Sequence, residues 1–90
     1  MVHEVVTALE GAEVLHRAKR FFAERVPMQA AFPEKEGASF LTLRGQGGEE
    51  IAMAVAPAQG GTRVRASTLL FDQTIDRFFS TLPAASEAVA

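Results

Sequence analysis

Few side chains in this 90-residue chain are equipped for chemistry. Cysteine is absent, which removes a thiolate nucleophile, a disulfide and a thiolate zinc site together. No Gly-x-Ser-x-Gly elbow, Walker loop or His-Glu-x-x-His helix occurs. His16 follows Glu13 by three positions, the Glu-x-x-His spacing of carboxylate-bridged di-metal bundles. Such centres draw more Glu and His from other helices, and here only Asp72 and Asp76 are on offer, with Arg17 as an opposing charge. A solvated helix face is the expectation for His16, and an exposed strand position for His3.

Asp72 and Asp76 stand four apart, as a general acid/base pair on one helical face would. An N-cap and a first-turn carboxylate, both favoured by the helix dipole, account for them without catalysis. Arg63, Arg65 and Arg44 have the chemistry to clamp an anionic ligand, or to guard the sheet against aggregation with Glu49 and Glu50 as partners. The run Gly45-Gln46-Gly47-Gly48 joins two strands and opens no helix, so hairpin chemistry explains it better than an anion-binding nest. No catalytic residue, metal ligand or cofactor is assigned.

The elements that position these groups follow from periodicity. Val2–Ala8 is rich in Val and Thr and reads as a strand. A rival helical reading runs through Thr7-Ala8-Leu9-Glu10, which fits a capping box. Val14, Leu15, Ala18, Phe21, Phe22 and Val26 form the stripe of a helix from about residue 12, ended by Pro27. Glu13–Arg17 and Arg20–Glu24 are i,i+4 pairs on its wet side. From Met28 to Phe71 the period falls to two, with strands expected near 28–32, 38–44, 49–56 and 62–70. Pro33-Glu34-Lys35-Glu36-Gly37, the glycine run at 45–48 and Pro57-Ala58-Gln59-Gly60-Gly61 are the turns between them. Ile75, Phe78, Phe79 and Leu82 then mark a closing helix with Asp72 as N-cap.

The order is β-α-β-β-β-β-α: one α+β domain over residues 1–83, an antiparallel sheet with two helices on one face, and a frayed tail over 84–90. A two-residue Gln59-Gly60 turn pairs Val55 with Val64, Met53 with Ala66 and Ile51 with Thr68 on the covered face. The other face then carries Ala52, Ala54 and Ala56 opposite Ser67, Arg65 and Arg63. If Gln46-Gly47 turns the preceding hairpin in the same way, Leu41 and Leu43 join this second face, with Leu69. One residue more in that loop would turn both leucines inward.

Composition limits the function classes. Hydrophobic residues make up 48% of the chain, but 16 of them are Ala and only 27 are large enough to fill a core. A chain of this size is marginal alone, and oligomerisation is the common remedy left without cysteine. Nine basic against eleven acidic residues give a net charge of −2, with only Lys19-Arg20 adjacent, so neither nucleic acid nor a membrane surface is an expected partner. No signal peptide is visible at the start, and a cytoplasmic location is expected. Seven Arg to two Lys, with abundant Ala, is the bias of a GC-rich bacterial genome.

The pattern resembles the START-like (SRPBCC, helix-grip) superfamily. The strand running into Glu10-Gly11-Ala12-Glu13-Val14, the meander, the hairpin Gly60-Gly61-Thr62-Arg63-Val64 and the closing helix at Asp72–Leu82 carry the resemblance. Members are longer, with more strands and a long terminal helix over a deep apolar cavity. The resemblance implies a binder of a small apolar or acidic organic ligand, or a stripped-down structural descendant, and carries over no catalytic residue. The residues alone lead to a self-associating, non-enzymatic module. Its second copy would meet Arg63, Arg65, Ala52, Ala54, Ala56 and Leu41, or an unpaired edge strand.

Overall fold

A computed structural model describes residues 1–24, 30–69 and 71–85. The expected helix end at Val26-Pro27, the strand start at Met28, Leu70 and residues 86–90 of the tail lie outside the described residues. The elements are β1 (Val2–Thr7), α1 (Gly11–Glu24), β2 (Ala31–Glu36), β3 (Phe40–Gly45), β4 (Glu50–Ala58), β5 (Gly61–Thr68) and α2 (Asp72–Ser80). They form the α+β fold expected: a five-stranded antiparallel sheet in the order β1-β5-β4-β3-β2 with both helices on one face.

Both helical stripes are buried as their spacing predicts. Val14, Leu15, Ala18, Phe21 and Phe22 of α1 meet Ile75 and Phe78 of α2, and Phe22 packs edge-on to Phe21 and Phe71. The sheet supplies Leu41, Leu43, Ile51, Met53, Val55, Val64 and Ala66 to the same cluster. The Gln59-Gly60 turn holds the expected register, with Val55 opposite Val64, Met53 opposite Ala66 and Ile51 opposite Thr68. Gly61, at φ +155°, is required there: a Cβ would overlap the carbonyl oxygen of Thr7, where β1 crosses close by.

The hairpin between β3 and β4 corrects the expectation for Leu41 and Leu43. Gly45 donates to Glu49 at 2.8 Å, closing a three-residue loop, and Gly48 takes φ +92°. A three-residue hairpin loop needs this left-handed glycine. The added residue pairs Leu43 with Ile51 and Leu41 with Met53, and both leucines are fully buried. Because side chains alternate, a slip of one moves the whole strand to the other face. Leu41 therefore belongs to the core on the helix-covered side and not to the outward face.

Two other differences have simple causes. β2 runs through Pro33-Glu34-Lys35-Glu36, expected as a turn, and its register shifts between Pro33 and Lys35. An edge strand bonds on one side only and so tolerates both proline and bulge. Asp72 is not an N-cap; Phe71 precedes α2 without a side-chain cap, and its N–H donates to the Thr68 hydroxyl at 3.2 Å. At the far end Ala84 bridges to Thr7, so packed structure extends past residue 83.

Candidate functional site

The helices cover one face of the sheet and leave the other bare, and strand alternation decides what stands on it. Ala52, Ala54 and Ala56 of β4 face outward beside Ser67, Arg65 and Arg63 of β5, as the sequence predicts. On the opposite flank Thr42 stands beside Ala52 and Phe40 beside Ala54. Beyond β5, the outward residues of β1 are Val2, Glu4 and Val6, beside Ser67, Arg65 and Arg63. The result is a floor of methyl groups along β4 between two taller walls.

Large apolar side chains are also left in water on this side. Val2 and Phe32 are each 50% exposed and Phe40 is 44% exposed. Phe40 is held outward by its place between Ser39 and the inward Leu41, and its ring lies over Gly37.

The three arginines differ in how they are engaged. Arg44 is gripped by both carboxylate oxygens of Glu34, at 2.8 and 2.9 Å, and lies 3.9 Å from Glu50. That paired hydrogen bond raises Arg44 above its ordinary pKa and holds Glu34 below the usual carboxylate range. Glu50 is thus a partner as expected, while Glu49 instead accepts the N–H of Gly47 at 3.1 Å. Arg63 reaches Glu4 at 3.4 Å. Arg65 makes no ion pair among the described residues: Glu4, opposite it across the β1–β5 ladder, turns to Arg63 instead.

Under the helices the chain builds a polar cluster that the spacing did not show. His3 alternates inward with Val5 and Thr7 and meets the start of α2. Its Nε2 lies 2.7 Å from Asp72 and its Nδ1 3.2 Å from Asp76, with the side chain only 13% exposed. His3 is therefore not the exposed strand residue expected, and it joins Asp72 to Asp76. The hydrogen bond from His3 holds Asp72 below its usual carboxylate range against partial desolvation, helped by the amine of Met1. Inward alternation of His3 and the i,i+4 spacing of the acids were the available signals. Only the packing of α2 on β1 brings them together.

The space between sheet and helices is filled by side chains such as Phe22, Phe78, Leu43 and Met53. The described concavities are open grooves. The larger, about 580 Å³, runs between the helices over Phe21 and Phe78 and is rimmed by Glu13, His16, Arg17 and Arg20. Its rim is largely self-neutralised, with Arg17 on Glu13 at 2.9 Å. Among the described residues no three side chains of His, Asp or Glu are grouped to hold a metal ion, and no helix is long and apolar enough to cross a membrane. Set against protein-family models, curated proteins and solved structures, the chain matches none of them.

Proposed function

We propose that the chain is a non-enzymatic, self-associating module of the cytoplasm, whose bare sheet face is completed by a second copy. The observation that carries this reading is the uncovered floor of Ala52, Ala54 and Ala56 with half-exposed apolar groups around it. Burying such a surface adds the apolar area that a 90-residue core lacks. The floor itself bears no nucleophile, and its neighbours offer only the hydroxyls of Ser67 and Thr42. Native mass spectrometry and sedimentation are the tests. A mass at twice 9.7 kDa at tens of micromolar is expected, and Ala54→Glu returns it to the single-chain value. A wild-type chain that stays folded and monomeric at that concentration ends the proposal.

A second reading rests on the groove between the helices, where Arg17 and Arg20 stand over Phe21 and Phe78. The two arginines, paired at rest with Glu13 and Glu24, can turn over this aromatic floor to the carboxylate of a small organic molecule. Such a molecule falls within the apolar or acidic ligand class that the START-like resemblance implies. Thermal-shift screening with aromatic carboxylates tests it. A shift abolished by Arg20→Ala supports a site, and no shift across the series removes it.

A further inference from the structure

We infer that two copies stack open face on open face about a two-fold axis running along β4, so that Arg65 of each copy lies over the Phe40 ring of the other. This rests on the self-association reading and adds to it a geometry that can fail separately.

A half-turn about the direction of β4 exchanges left and right across the sheet. β4 then lies on its own counterpart, and β5 lies on β3 of the second copy. The registers convert this into residue pairs. Ala54 stands between Arg65 and Phe40, and Ala52 stands between Ser67 and Thr42. Each alanine on the axis therefore meets itself, each Arg65 meets Phe40 and each Ser67 meets Thr42. All three kinds of contact are compatible: methyl on methyl, guanidinium on ring, and hydroxyl on hydroxyl.

Charge selects this arrangement over its rival. An axis running across the strands would place β5 on β5, setting Arg65 against its own copy or, with the axis one residue along, against the half-exposed Arg63 of the other. Like charges at contact oppose that docking. In the strand-parallel arrangement Arg65, whose cross-strand neighbour Glu4 is drawn to Arg63, receives a Phe40 ring that lies over Gly37 and is 44% exposed. Shape agrees as well. Twisted sheets packed face to face touch at the centre and splay at the corners. The centre holds only Ala methyls, and the long side chains stand to either side where the gap widens. With strands about 4.8 Å apart and about 3.3 Å of rise per residue, the face offers on the order of 500 Å² a copy. That is the small end of specific interfaces and suits a reversible dimer.

The absence of cysteine makes cross-linking a clean test. Single variants Ala54→Cys and Thr42→Cys, and an equimolar mixture of Thr42→Cys with Ser67→Cys, are oxidised mildly, with circular dichroism confirming that each is folded. Ala54→Cys is expected to form a disulfide dimer. The mixture should form the heterodimer at least tenfold faster than Thr42→Cys links to itself. Arg65→Ala and Phe40→Ala should each raise the dissociation constant about five- to tenfold, and the double variant no further, the signature of one shared contact. Self-linking of Thr42→Cys as fast as the mixture would put β3 on β3 and overturn the geometry. A dimeric wild type with no Ala54→Cys link would move association to another surface, such as the β1 edge, leaving self-association intact. A monomeric wild type at the same concentration overturns both.

Discussion

Leu41 and Thr42 are neighbours in β3, as Met53 and Ala54 are in β4, yet the first of each pair is sealed under the helices and the second faces outward. Two faces built from the same five strands thus have opposite chemistry. The covered face takes Leu, Ile, Met and Val along β3 and β4 and adds Val5, Val64, Ala66 and buried threonines from β1 and β5, and the Phe rings of both helices close over it. The bare face takes Ala along its centre and Arg, Glu or Phe along its flanks. Side-chain volume went where cover was assured within one chain. The other face carries small and charged residues with Val2, Phe32 and Phe40 half-exposed at its flanks, a surface low enough along its centre to allow close approach by a second sheet.

The sharpest way to break this contrast is to truncate one aromatic on each side. Phe22→Ala, in the middle of the covered core, is expected to cost about 3–5 kcal/mol in urea unfolding. Phe40→Ala, on the bare face, is expected to cost the monomer under about 1 kcal/mol. Equal losses would mean that the faces are not distinct. The same comparison inside one strand tests the three-residue hairpin. Leu41→Ala should lose about 2–4 kcal/mol and Thr42→Ala about 0.5 kcal/mol or less. The reverse order would restore the two-residue turn.

Glycines separate the two hairpins by smaller amounts. Gly61→Ala drives a Cβ into the Thr7 carbonyl and is expected to lose about 2–3 kcal/mol in the same assay. Gly48→Ala meets open space and pays only for its left-handed backbone, about 1 kcal/mol. Ala54→Glu on the bare face should leave monomer stability within about 0.5 kcal/mol while abolishing the dimer, which separates folding from association.

The smallest effect is electrostatic. Asp72 is held below its usual range by His3, so its contribution is complete above the unfolded carboxylate value of about 3.9 and is lost as pH falls through the lower folded value. The melting temperature of the wild type should therefore decline more steeply below pH 4 than that of Asp72→Asn. Parallel curves would show that the His3 contact does not stabilise the fold.

Periodicity made most of the architecture legible, because a helical stripe such as Val14–Phe22 and an alternating strand such as Ile51–Val55 each record locally which side is apolar. The Ala52, Ala54, Ala56 row and its Ser67, Arg65, Arg63 neighbours were likewise readable, since one two-residue turn sets the whole ladder. Leu41 was not. Its face depends on the parity of a hairpin connection with three glycines among residues 45–48, any of which can adopt the left-handed conformation that sets loop length. β2 was misplaced because proline and charge mark turns and guarded edge strands alike.

Local chemistry thus settles the element order, the antiparallel pairing and the contents of each strand's two sides, because alternation and helical spacing act over a few residues. Three matters needed the folded chain: which way β3 faces, what His3 touches and which of Arg63 and Arg65 takes Glu4. Each depends on groups distant in sequence, 69 residues apart for His3 and Asp72, and no local rule relates such positions until packing brings them together.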